Sequence, residues 1–86
     1  MLVKFNNDGK EHTVNLDQAI VWVQLEEDLK LTVNQAHELI SEGSTKVITY
    51  AIWLAAEVDR PYKEWLKKLG TFDVVDDYPK DTSAEA

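Results

Sequence analysis

Ser44–Trp65, STKVITYAIWLAAEVDRPYKEW, decides the reading of this chain, because it is an apolar helical run with a tryptophan set in its polar side. At about 100° per residue, Val47, Ile48, Ala51, Leu54, Ala55 and Val58 share the face expected against a core. Trp53 falls on the other side, among Lys46, Thr49, Glu57 and Arg60. A ring in that position is either covered by another part of the chain or meets a partner. Ser44 suits the N-cap of this helix, and Pro61 turns the preceding residue away from helical geometry, so the helix is expected to stop near Asp59 and Arg60.

Downstream, Pro61 suits the first position of a fourth helix with Tyr62, Trp65, Leu66 and Leu69 on one side and Lys63, Glu64, Lys67 and Lys68 on the other. Gly70 can end it, after which Phe72, Val74 and Val75 read as an extended segment docked on the domain. Upstream, Thr32 and Gln35 form a capping box, with Leu31 and Ala36 as its hydrophobic staple, for a second helix that ends at Gly43. Asp17 is the expected N-cap of a first helix running to about Lys30, with Gln18, Val21, Trp22, Leu25 and Leu29 on one side and Ile20 and Val23 on the other. Met1–Leu16 reads as a β-hairpin about Asp8-Gly9, pairing Phe5 with His12, Val3 with Val14 and Met1 with Leu16. A lone hairpin is marginal in water, so its apolar face is expected to pack on the helices.

The expected fold is α+β and mostly helical, an N-terminal β-hairpin packed on about four helices, as one domain over residues 1–75. Residues 76–86, with four acidic side chains against Lys80, hold too little apolar surface to offset ordering and are expected to form a disordered acidic tail. With 86 residues in all, the core is modest and stability marginal. The chain has no cysteine, which excludes disulfides and thiolate metal sites. No apolar run reaches the length of a membrane span and no signal-peptide pattern opens the chain, so a cytoplasmic protein is expected. A net charge of -7 argues against nucleic-acid binding, which draws its affinity from clustered Lys and Arg.

Catalytic patterns are weak. His12 on the apolar hairpin face and His37 beside the stripe of the second helix read as structural or surface imidazoles. Glu26, Glu27 and Asp28 are consecutive on a helix and point in different directions, which reads as a solvated face. No phosphate loop or nucleophile elbow is present. No catalytic, cofactor or metal residue is therefore assigned. The second and third helices superficially suggest a helix-turn-helix, but the second of the pair turns strongly apolar after Lys46 and lacks clustered phosphate contacts.

The stronger signals are apolar. Trp53 is expected under Tyr62, Trp65 or Phe72, with an exposed anchor as the other reading. Ile20 and Val23 are expected between hairpin and third helix, with an interface as the alternative. Ile20, Val23, Trp53, Tyr62 and Trp65 are thus the candidate partner-binding residues.

The hairpin with its Asp-Gly turn, LEEDLKL at Leu25–Leu31, the capped helix to Gly43, AIWLAAEVDRP at Ala51–Pro61 and WLKKLGTFDVVDD at Trp65–Asp77 together resemble the small tail assembly chaperones of long-tailed bacteriophages. The resemblance covers most of Val3–Asp77 and rests on apolar and acidic positions rather than a catalytic signature. It implies a non-enzymatic protein of the infected host's cytoplasm that coats the tape-measure protein, helps recruit tail-tube subunits and is often made in short and frameshift-extended forms. The family's tryptophan helix looks like Trp53, Leu54 and Ala55, and its aromatic return like Tyr62 and Trp65. Glu57 and Asp59 depart from the more basic character expected late in that helix. Self-association would suit such a coat. The competing expectation, from charge alone, is an acidic DNA mimic or inhibitor of a host protein.

Overall fold

The computed structural model describes residues 1–75, so the tail expected over 76–86 lies outside the described residues. The elements run β1 (Leu2–Asn7), β2 (Lys10–Asn15), α1 (Ala19–Leu29), α2 (Val33–Ser41), α3 (Thr45–Ala55), α4 (Tyr62–Lys67) and β3 (Leu69–Val75). The architecture is a three-stranded antiparallel sheet of order β2-β1-β3 with four helices.

Asp8 and Gly9 both take positive φ, 56° and 79°, the geometry that a two-residue turn needs to match strand twist. Phe5 consequently faces His12 and Val3 faces Val14, and the backbone N–H of Leu16 donates to the carbonyl of Met1 at 2.8 Å. The hairpin is extended on its other side by β3, where the sequence reading expected an extended segment docked on the domain without a pairing partner. Phe5 faces Phe72 and Val3 faces Val74, and the register shifts between Phe5 and Asn7, where three residue steps of β3 oppose two of β1. Gly70 lies in this strand and does not end a helix as expected; α4 closes at Lys68 instead.

The capping box forms on both arms, Gln35 N–H to Thr32 Oγ1 at 3.2 Å and Thr32 N–H to Gln35 Oε1 at 3.0 Å. At the end of α2, Gly43 has φ 88°, and its N–H and that of Ser44 return to the carbonyls of Ile40 and Leu39, a left-handed closure that turns the chain into α3. Ser44 caps α3 as expected, through Val47 N–H.

Three local expectations need correction. Asp17 does not cap α1: its carboxylate pairs with the N-terminal ammonium of Met1, and Gln18 takes the cap position with no side-chain cap bond. The third helix ends at Ala55, before Asp59, because Glu57 adopts φ 53° and the N–H groups of Glu57 and Val58 return to the carbonyls of Leu54 and Trp53. Thr49 is not on an exposed polar side but 2 % exposed, while Leu54 and Val58, expected in the core, are half-buried and Ile52 is fully buried in their place.

The core joins Val3, Phe5 and Leu16 from the hairpin with Val21, Leu25, Ala36 and Ile40, the buried face of α3, and Trp65. Trp65 meets Phe5 edge-on with ring centroids 6.1 Å apart, which ties α4 to the sheet.

Glu57 holds a left-handed conformation that costs a non-glycine residue roughly 1 kcal/mol. Glu57→Gly is expected to raise stability by about 0.5–1 kcal/mol in urea denaturation, and Glu57→Val to lower it, because a β-branched side chain is least tolerated there.

Candidate functional site

α1 packs against α2 and α3 through Val21 and Leu25, which are buried, and Trp22 and Leu29, which are half-buried. The 3.6-residue period then turns Ile20 and Val23 directly away from that packing. They are 58 % and 51 % exposed, so the expectation that hairpin and third helix would cover them fails. They form an apolar strip bordered by Glu26 and Glu27, both exposed. Two further exposed apolar side chains, Val33 at the start of α2 and Val74 on β3, were not singled out from the sequence. Val74 lies opposite Val3 on β3, which is an edge strand among the described residues.

The second feature is aromatic. Trp53 is half-buried, and of the three rings expected to cover it, Tyr62 is the one that meets it, with centroids 5.9 Å apart. Tyr50, three residues earlier on the same helix, adds a second contact at 5.3 Å, a pair that the i,i+3 spacing could have revealed. Trp53 Nε1 donates to the carbonyl of Arg60 at 2.7 Å, so the indole also holds the chain between α3 and α4. Trp65 is 2 % exposed and serves the core, and Phe72 lies opposite Phe5 in the sheet.

Tyr62 joins these rings to the interior. Its hydroxyl lies 2.7 Å from Thr49 Oγ1, which itself donates to the carbonyl of Thr45 at 2.8 Å and must therefore accept from Tyr62. Tyr50 Oη donates to Asp28 Oδ2 at 2.6 Å, while Gln24 Nε2 donates to the other oxygen at 3.1 Å. Burial, the hydrogen bond to Asp28, the charge of Asp28 and the neighbouring Tyr62 together push the Tyr50 phenol up to about 12.

His12 stacks on Phe5 at 5.2 Å, and His37 meets the edge of Trp22 at 4.6 Å, so both imidazoles lie against aromatic rings. Among the described residues, no group of three or more His, Asp or Glu side chains is placed to hold a metal ion. Within the same residues, no helix is long and apolar enough to cross a membrane. No family model matches the sequence, and neither a curated protein nor a solved structure matches it significantly.

Trp53→Phe is expected to cost about 0.5–1.5 kcal/mol in thermal or urea unfolding, because it keeps an aromatic ring but removes the bond to the Arg60 carbonyl. Because the folded Tyr50 pKa lies above the unfolded value near 10, its contribution is whole below pH 10 and is lost as the pH rises through about 12. Ultraviolet titration of the folded chain is expected to show a late-titrating tyrosine signal that Tyr50→Phe removes.

Proposed function

We propose that this chain is a non-enzymatic assembly chaperone of the kind that its sequence resembles, acting in the cytoplasm of a phage-infected host on a tape-measure protein and helping to recruit tail-tube subunits. The observation that carries the reading is the outward pair Ile20 and Val23, left half-exposed on a helix whose opposite face is packed. Complete covering of each would recover roughly 1 kcal/mol, half of what a fully exposed side chain of that size gives.

Such a gain is too small to hold one partner tightly, and it suits repeated weak contacts along a long chain. Apolar helices awaiting assembly aggregate until something masks them, and a chaperone without a nucleotide cycle acts by masking. Several copies on one tape-measure chain gain by avidity what each site lacks. Self-association of the bound copies would add to that gain. The net charge of -7 then serves the coated complex by keeping it soluble. Trp53, backed by Tyr50 and Tyr62, supplies a rigid aromatic anchor beside the strip-bearing helix, since Tyr50 bonds to Asp28 of α1.

Co-expression with the tape-measure protein encoded beside it is expected to keep that protein in the soluble fraction. The double variant Ile20→Glu, Val23→Glu is expected to lose this effect while melting close to the wild type, since both side chains point to solvent. Insolubility of the tape-measure protein in the presence of the wild-type chain would sink the reading.

A further inference from the structure

The connection between α3 and α4 borders a cavity of about 340 Å³ at the hairpin turn, where the aromatic neighbours Phe5 and Trp65 are almost fully buried and offer no ring to a ligand. On the same connection lies a smaller open cleft of about 150 Å³, lined by Trp53, Leu54, Glu57 and Val58. That is half the lower bound of roughly 300 Å³ for pockets that take whole small molecules, and it suits the end of one side chain. One aromatic ring, two aliphatic side chains and one carboxylate make its wall. The ring is half-buried and already held by Tyr50, Tyr62 and the Arg60 carbonyl.

Glu57 is the informative residue. It follows the C-cap of α3, Ala56, and takes φ 53°, in a position where a left-handed conformation is usual for glycine. The C-terminal end of a helix carries a partial negative charge that Lys, Arg or His in the last turn offsets. The last turn of α3 holds no basic residue, and a carboxylate follows it instead. Glu57 is thus set against both the backbone preference of its position and the charge of the helix end. Among the described residues no cation forms an ion pair with it, and Arg60, three residues on, turns its guanidinium toward Asp8 at 3.9 Å.

We infer that this cleft receives the Lys or Arg side chain of a partner polypeptide. The aliphatic stem lies on Leu54 and Val58, and the cation meets the indole of Trp53 and pairs with the Glu57 carboxylate at the negative end of α3. An anionic side chain would meet charge of its own sign there, and an apolar one would desolvate the carboxylate without pairing it. This use of Trp53 rests on its role as an anchor in the proposed function and adds the chemistry of what it meets. A titration with peptides alone probes the cleft without any tape-measure protein, so either can fail while the other stands.

The full ¹⁵N-labelled chain is titrated at low salt with the blocked peptide Ac-Ala-Leu-Lys-Leu-Ala-amide and its Arg counterpart, against the same peptide carrying norleucine, which keeps the stem and drops the charge. The Lys and Arg peptides are expected to shift the Trp53 indole N–H signal and to bind about tenfold tighter than the norleucine peptide, as a cation–π contact and an exposed ion pair together provide. Glu57→Gly is expected to melt no lower than the wild type, because glycine suits the left-handed position, and to abolish the preference for the cation. Glu57→Gln, which keeps the side-chain length, is expected to abolish it as well. Asp59→Asn removes a charge from the same connection outside the cleft and is expected to keep the preference, which separates the cleft from general attraction to a chain of charge -7. The proposal is overturned if the cationic peptides leave the Trp53 signal unmoved, if the norleucine peptide binds equally, if both Glu57 variants keep the preference, or if Asp59→Asn loses it as fully as they do.

Discussion

The structure depends on burying α3. Its buried residues, Val47, Ile48, Thr49, Ala51, Ile52 and Ala55, spread over about half the helix circumference, more than the stripe a surface helix presents to one neighbour. A single packing partner cannot cover that arc. α1, α2 and α4 all pack on α3, and β2 reaches it as well. Among the described residues no outer layer covers the helices around α3, which turn their far sides to solvent. Ile20 and Val23 lie on such a far side, and their exposure follows from where α1 is needed.

Features governed by short-range geometry were legible in the sequence. The hairpin register followed from Asp8-Gly9, since a two-residue turn and a period of two leave one pairing, and the Thr32–Gln35 capping box closes within one helical turn. The misreadings share another cause. Glu57 ends α3 in a conformation natural to glycine, and the sequence signal there was Pro61, four residues later. Tertiary packing requires the chain to turn back early enough to bring Trp65 under Phe5, and that requirement outweighs the local cost. Thr49 was read as polar from its side-chain type, yet its hydroxyl is satisfied by its own helix and by Tyr62 and so is compatible with burial. β3 pairs with β1 from the opposite end of the chain, a contact no local pattern announces.

Of the candidate contact residues, the sequence could name the side chains but not their exposure. Ile20 and Val23 stood out by helical period, while their solvation depended on how many neighbours α3 would claim. Asn7 was not singled out, although the period of two that sets the hairpin register also places it on the face of Val3 and Phe5. Its burial and the missing partner of its Nδ2 are visible only in the structure.

Trp53 and the cavity at the hairpin turn are tied together by the connection between α3 and α4. The indole holds the Arg60 carbonyl, and Arg60 and Val58 are both among the residues around that cavity. On the inner side, Tyr62 contacts Trp53 and Trp65 with centroids 5.9 and 6.4 Å away, so the surface aromatic is buttressed by a ring of the core rather than by a mobile loop. Trp53 is therefore held in place from both sides, and a contact made on it would cost little ordering entropy. Glu57 lies in the same connection, four residues after Trp53 and three before Arg60, so its left-handed conformation belongs to the turn that the Trp53–Arg60 bond closes.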